Sequence, residues 1–339
     1  LLNEWPWVAS FFMKVLITGG AGYIGSHAAL SLLESGHSVH IIDDLSTGNE
    51  SLIPKNAFFT KCNINDEEVI SELIKSNSFD LLMHFAGFIQ VEESVKYPQK
   101  YFDNNTENAT KLFETCKNNG LNKIVFSSTA AAYGSVRKNK LIDENTNLNP
   151  QNPYAESKIK TENFLFENKD DYKFIILRYF NVAGADKKLR SGQISKRSTH
   201  LIKILSEVVV GKRDHIEIFG NDYNTADGTA IRDYIHVSDL ADIHLEVAKY
   251  LLEGSESNLF NCGYGNGFSV LDVINTANKI SEDKINYKFS NRRDGDVEQL
   301  IADTSKILKH IDWRPKYNDL SEIINSSIKW EEKINESNT

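Results

Sequence analysis

Short apolar runs rich in β-branched residues alternate with stretches of helical period along the first half of the chain. The first run, Val15-Leu16-Ile17, leads into a glycine cluster, and a helical pattern follows from Tyr23 to Ser35, closed by Gly36. That succession reads as strand, turn and helix. Val39 to Ile42, Asp80 to Phe85, Lys123 to Ser128 and Phe174 to Leu177 repeat the strand signal, with helical patterns over Glu67 to Ser76, Tyr101 to Asn118 and Tyr154 to Glu167 among them. Short apolar strands separated by helices predict a parallel sheet covered on both faces. The expected class is α/β, a doubly wound parallel sheet of Rossmann type. Beyond Asn181 the alternation loosens into a polar loop, 186–199, a helical stretch from Leu201 to Val210, and strand-like runs at Glu217 to Phe219, Tyr234 to Val237 and Asn286 to Phe289. These predict a smaller mixed α/β domain over 182–334, beside the doubly wound domain over 13–181, which takes back a segment near 234–260. Residues 1–12 read as a disordered extension, without the basic start and long apolar core of a signal peptide.

Composition narrows the function classes. A length of 339 residues with 40% hydrophobic and 25% charged positions is that of an ordinary globular chain of about two domains. The net charge of −9 offers no basic field for nucleic acid or an anionic membrane, so neither is expected as a partner. Three distant cysteines, Cys62, Cys116 and Cys262, give no disulfide framework and fit a reducing, cytoplasmic setting. No run of ~18 apolar residues suggests a transmembrane helix. His84, His200, His215, His236 and His244 lack metal-site spacing, and no metal is expected.

Two clusters carry chemistry. Gly19, Gly22 and Gly25 fall between the first strand and its helix, where they suit a tight turn, close approach of a pyrophosphate and close helix packing. A glycine turn alone can solve a purely steric problem. The second strand, however, ends at Asp43, 18 residues after Gly25, where a carboxylate can accept from an adenosine ribose and repel a ribose phosphate. This favours NAD over NADP, with Asp44 able to share the role. The second cluster is Tyr154 and Lys158, four apart on one helical face, where an ammonium would lower the pKa of a phenol otherwise near ~10. Ser127-Ser128-Thr129 ends the strand from Lys123, and ligands of doubly wound sheets sit beyond such ends. A hydroxyl there could bridge substrate and phenol.

The order and spacing of the glycine turn, strand-end hydroxyls and Tyr154/Lys158 pair resemble the extended short-chain dehydrogenase/reductases. Gly22-Tyr23-Ile24-Gly25-Ser26-His27, His84-Phe85-Ala86-Gly87, Asp103-Asn104-Asn105, Leu177-Arg178-Tyr179-Phe180-Asn181, Ile218-Phe219-Gly220-Asn221-Asp222-Tyr223 and Arg232-Asp233-Tyr234-Ile235-His236-Val237 resemble the UDP-glucose 4-epimerase family. The resemblance runs from about Met13 to Trp330. It implies tightly held NAD, a UDP-hexose substrate and a homodimer.

The same resemblance implies the roles. Tyr154 would take the proton from the sugar 4-hydroxyl, Lys158 would lower its pKa and hold the nicotinamide ribose, and Thr129, with Ser128 nearby, would bond the reacting oxygen. Gly19, Gly22, Tyr23, Ile24, Gly25, Asp43, Asn63, Ile64, Phe85, Ala86, Gly87, Asn104, Ser127 and Tyr179 would line the cofactor. Phe180, Asn181, His200, Leu201, Ile218, Phe219, Arg232, Arg293, Asp296 and Leu300 would meet the UDP-hexose. Arg292 is an alternative to Arg293, and the pair could instead be a solvated ion cluster.

Some positions depart from the family pattern. Asn63 stands where many relatives have Asp, Ile89 replaces a lysine of some members, and His200 replaces a common asparagine. Leu300 occupies the position where a bulky tyrosine or a smaller residue separates members strict for glucose and galactose from those taking N-acetyl sugars. Related dehydratases and decarboxylases use an acid just after the strand-end hydroxyl; here Ala130-Ala131-Ala132 follow Thr129, and methyl groups exchange no protons. A 4-reductase, another epimerase and a catalytically silent NAD-binding regulator remain as alternatives.

Overall fold

The computed structural model describes residues 12–134, 141–194, 198–281, 284–293 and 296–336. Apart from Phe12, the expected extension lies outside the described residues. The strands, in chain order, are β1 (Lys14–Thr18), β2 (Ser38–Asp43), β3 (Phe58–Lys61), β4 (Leu81–His84), β5 (Lys123–Thr129), β6 (Lys173–Tyr179), β7 (Asn181–Ala183), β8 (Ile216–Phe219), β9 (Ile231–His236), β10 (Asn258–Cys262), β11 (Gly267–Ser269), β12 (Tyr287–Ser290) and β13 (Gln299–Leu300).

Seven strands form one all-parallel sheet in the order β10-β6-β5-β4-β1-β2-β3. Alternation along each strand feeds two cores. Val15 and Ile17, Val39 and Ile41, Leu81 and Met83, and Ile175 and Leu177 turn to one face, beneath the helices Tyr23–Glu34 and Val237–Leu252. Leu16, Ile42, Leu82, Ile124, Phe126, Phe174 and Ile176 turn to the other, beneath Glu67–Ser76, Ala109–Asn118 and Pro153–Glu167. Each such side chain contributes about 1.5–3 kcal/mol by leaving water. The strand order reverses between β1 and β4, which opens a crevice beyond their carboxyl ends.

The second region is mixed. β9 pairs antiparallel with β11 and parallel with β13 and β7, while β8 and β12 form a separate parallel pair. Its core gathers Leu205, Ile216, Ile218, Tyr234, Val273, Ile274, Ile323 and Ile324. Within 234–260, Tyr234 to His236 belong to β9, whereas β10 lies at the edge of the seven-stranded sheet. Among the described residues no helix is long and apolar enough to cross a membrane.

One helix expectation needs correction. Tyr101 to Asn118 is not one α-helix: an α-segment, Pro98–Phe102, passes into a π-helical segment, Asp103–Asn108, before Ala109–Asn118 resumes. The inserted turn brings Asn105 inward, where its Oδ1 accepts from Phe88 N at 2.9 Å and its Nδ2 donates to Phe88 O at 2.9 Å.

Burial also sets an acid limit. The buried rings of His27, His236 and His244 have pKa values pushed down by desolvation to about 4, 3 and 4. The unfolded chain binds these protons near pH 6.5 and the folded chain does not, so stability is full above that pH and is lost as pH falls toward 4. Thermal melts should show a lower Tm at pH 5 than at pH 7.5, and His244→Gln should reduce that difference.

Candidate active site

The glycine turn is built by what surrounds it. Gly19 sits at φ +73°, and a Cβ there would lie 2.5 Å from Ala86 N, so the turn packs on the backbone leaving β4. Phe85 N and Ala86 N both donate to Thr18 O, at 2.9 and 3.1 Å, closing β1 against β4 at the crevice. The helix Tyr23–Glu34 starts at Gly22 with no side-chain cap and no acidic residue in its first turn. Its free N–H groups and dipole favour an anion. The cradle therefore fits the pyrophosphate of a dinucleotide. Tyr23 and Ile24 offer backbone alone, because the Tyr23 hydroxyl donates to Gly184 O at 2.6 Å and Ile24 packs on the sheet core.

At the end of β2 the Asp43 carboxylate accepts from Ala21 N at 3.0 Å and Leu45 N at 2.9 Å. Burial pushes its pKa up and these two bonds pull it down. Asp43 thus ties the glycine turn to β2 and places its carboxylate at the crevice rim. Its neighbour Asp44 accepts from Asn63 Nδ2 at 2.7 Å, so the amide that replaces the family's acid is anchored by an adjacent acid, with buried Ile64 next to it. Phe85 meets the His244 ring at 4.8 Å, and a Cβ on Gly87 would lie 3.3 Å from Lys158 Nζ. Asn104 donates to Asn105 Oδ1 at 3.0 Å. Ile89 stands exposed beyond this loop.

The candidate catalytic groups converge from β5, β6 and the helix Pro153–Glu167, which starts at Asn152, whose side chain accepts from Ala155 N. Tyr154 is half-buried; burial raises the pKa of its phenol and a hydrogen bond with Thr129 lowers it. Thr129 Oγ1 also accepts from Ala131 N at 3.1 Å. Lys158, one turn on, is buried and donates to Ser127 O at 2.9 Å. Desolvation pushes its pKa down to about 8, and the charge of Glu162 pulls it up. Burial outweighs the Thr129 contribution, so the Tyr154 pKa stands above its ordinary value.

Ser128 departs from expectation. Its hydroxyl is taken by Glu162 Oε1, to which it donates, and alternation along β5 turns Ser128 and Thr129 to opposite faces. Tyr179, the residue paired with Thr129 in the β5–β6 register, bonds His244 Nε2 at 2.6 Å. His244 Nδ1 lies 2.8 Å from Leu240 O, which can only accept. The proton is therefore on Nδ1, and Nε2 accepts from the Tyr179 hydroxyl.

Strand pairing assembles the far wall. Leu300 lies beside Arg232 in the β13–β9 register and packs on a cluster containing Ala130, Tyr133 and Phe180. Arg232 Nη2 is 3.7 Å from Asp296, and the Arg293 guanidinium lies 3.7 Å above the Phe219 ring. Arg293 Nε is buried and finds no hydrogen-bond partner among the described residues, an orphaned donor that suits phosphate oxygens. Arg292 instead pairs with Asp222 at 2.6 Å and stacks on Tyr223. Ile218 is buried in the second core, Leu201 packs against it, and Asn181 opens β7. His200 lies exposed before the helix Leu201–Val209, with Nδ1 accepting from Gln193 at 2.8 Å.

Glu162 has no role in the sequence reading, while Arg178 and Asn105 enter it only within quoted motifs and His244 only among histidines without metal-site spacing. Glu162 was the most accessible of them, lying four residues after Lys158 as Lys158 lies four after Tyr154.

Residues 15–263 match the model of the NAD dependent epimerase/dehydratase family. The UDP-glucose 4-epimerase of Azospirillum brasilense is 43% identical over 326 residues, covering 96% of this chain and 93% of that protein. Among solved structures, the Stenotrophomonas maltophila UDP-glucose 4-epimerase with NAD and formylated UDP-arabinopyranose superposes with a TM-score of 0.92 at 32% identity, covering 96% and 99% of the two chains. The UDP-Glc/GlcNAc 4-epimerase of Campylobacter jejuni gives 0.81 at 43% identity, covering 95% and 99%. The chain belongs to the UDP-glucose 4-epimerase family, within the NAD-dependent epimerases and dehydratases.

Proposed function

We propose that this chain interconverts UDP-glucose and UDP-galactose by inverting C4 through a 4-keto sugar. The observation that carries this reading is the convergence of Thr129, at the end of β5, with Tyr154 and buried Lys158 on the helix Pro153–Glu167, with three alanines and no acid following Thr129. NAD is the cofactor; the glycine turn at Gly19, Gly22 and Gly25, with Asp43, would hold it, and when bound it would supply reversible hydride transfer at C4 with no net oxidation.

The protein's own groups do the rest. Tyr154 takes the proton of the 4-hydroxyl and gives it back, while Thr129 holds the same oxygen. Burial opposes a phenolate, so positive charge beside the ring has to offset it, and Lys158 supplies part of that charge from one helical turn away. Asn181, Arg232 and Arg293 hold the diphosphate, and Phe219 with Asp296 meets the nucleoside. Anchoring through the nucleotide leaves the hexose free to turn and present either face.

A second reading widens the substrate to N-acetylated UDP-hexoses. Leu300 favours it, since a branched aliphatic against Ala130 and Phe180 leaves more room than a phenol ring. Incubating the purified protein separately with UDP-galactose and UDP-N-acetylgalactosamine, then resolving the sugars by chromatography, tests both readings. Conversion of the first supports the epimerase, conversion of both supports the wider range, and conversion of neither with NAD added contradicts both. Leu300→Tyr should cut turnover of the N-acetyl sugar at least ~10-fold more than that of UDP-galactose, the scale of a small steric discrimination.

A further inference from the structure

Behind Tyr154 and Lys158 the same helical stripe carries a third polar residue, Glu162, and its side chain is sealed from solvent. Arg178 of β6 approaches it from the neighbouring strand, with Nε 3.0 Å from Oε1 and Nη2 2.5 Å from Oε2. Ser128 of β5 donates to the same carboxylate. Arg178 lies beside Ser128 in the β5–β6 register and rests 4.8 Å above the Tyr133 ring, whose hydroxyl donates to Asn261 at 2.7 Å. Two successive residues at the end of β5 are therefore gripped by one helix. Lys158 takes the carbonyl of Ser127, and Glu162 takes the hydroxyl of Ser128.

A buried ion pair seldom adds stability over packed apolar side chains, because desolvating two charges offsets their attraction. Its place one turn behind Lys158 suggests a different use. We propose that Glu162, clamped by Arg178, is a positioning residue of the reacting centre, holding the strand end that carries Thr129 and keeping Lys158 charged. This rests on the reading of Tyr154, Thr129 and Lys158 given above.

The charged and titratable neighbours of Lys158 leave Glu162 as the anion of the set. Tyr154 shares its helix, His84 faces it from the end of β4 with burial holding the ring neutral, and Arg178 and Tyr179 come from β6. Tyr133 follows β5, Tyr101 packs edge-on against Tyr154 from Pro98–Phe102, and the π-helical segment contributes the uncharged Asn105. Arg178 is paired directly with the Glu162 carboxylate, and Lys158 lies one helical turn away within reach of its charge.

The test uses the NAD-bound enzyme and two variants whose effects have opposite sign. Glu162→Gln keeps the shape and an acceptor but removes the charge, so the basic limb of turnover against pH moves down by about one unit or more. Arg178→Gln removes the cation paired with Glu162 and leaves the carboxylate charge less neutralised near Lys158, so the same limb moves up. Calorimetric titration of NAD affinity against pH reads the same limbs with no sugar present. A wild-type protein that binds NAD and converts no UDP-hexose contradicts the proposed function, while the NAD titration still decides the role of Glu162. Opposite signed shifts in the two variants, or the expected signed shift where only one variant is soluble, support the role. Limbs that stay within ~0.3 unit of wild type, or that move in the same direction in both variants, overturn it.

Discussion

Tyr154→Phe is expected to lower conversion of UDP-galactose at least ~100-fold, the scale of a lost general base, while NAD remains bound. The ring, its edge-on contact with Tyr101 and the helix start at Asn152 all survive the substitution, since none uses the hydroxyl. What disappears is the phenol that shares a hydrogen bond with Thr129. Turnover within a few-fold of wild type would remove Tyr154 from its role. Loss of NAD together with turnover would instead mark it as a cofactor anchor. Steady-state rates and the NAD content of the purified variant separate these outcomes.

Gly19→Ala should weaken NAD binding at least ~10-fold, because the residue must keep a left-handed backbone that costs about 1–2 kcal/mol for an L side chain, and ~1.4 kcal/mol is tenfold. The atoms that a Cβ would meet, Ala86 N and Cα and Phe85 C, are backbone and cannot swing aside. The turn must open, and with it the N–H groups at the start of Tyr23–Glu34 move off the pyrophosphate. Calorimetry of NAD binding checks this, with circular dichroism to establish that the variant is folded. Unchanged affinity in a folded variant would mean that the glycine turn only serves the strand-to-helix reversal.

The parts of this protein that sequence makes legible are those whose chemistry is local. The glycine turn, the acid at the end of β2 and the Tyr154/Lys158 spacing each lie within one or two elements, and the helix over Glu67–Ser76 was readable to its ends because Asp66 caps it through a bond to Val69 N. Positions settled by pairing across the chain were harder to read. β13 is two residues long, and its register beside Arg232, which sets where Leu300 stands, depends on a strand about seventy positions earlier. The π-helical turn at Asp103–Asn108 leaves no mark in apolar spacing, being stabilised by Asn105 reaching back to Phe88.

Ser128 shows the limit most clearly. Three hydroxyls in a row at a strand end look equivalent in sequence, yet the pleat sends Thr129 to Tyr154 and Ser128 to Glu162. Only the partners distinguish them. The same partners distinguish Arg293 from Arg292, one over Phe219 with an orphaned Nε and the other paired with Asp222.

The most direct measurement is conversion of UDP-galactose carrying deuterium at C4, by protein to which no reductant has been added, with products resolved by mass spectrometry and NMR. Hydride that leaves C4 and returns to the opposite face predicts UDP-glucose with the deuterium still at C4 and none gained from water. Absence of UDP-glucose, or UDP-glucose whose C4 label has exchanged with solvent, would contradict an epimerase that works by transient oxidation at C4 with Tyr154 as its base.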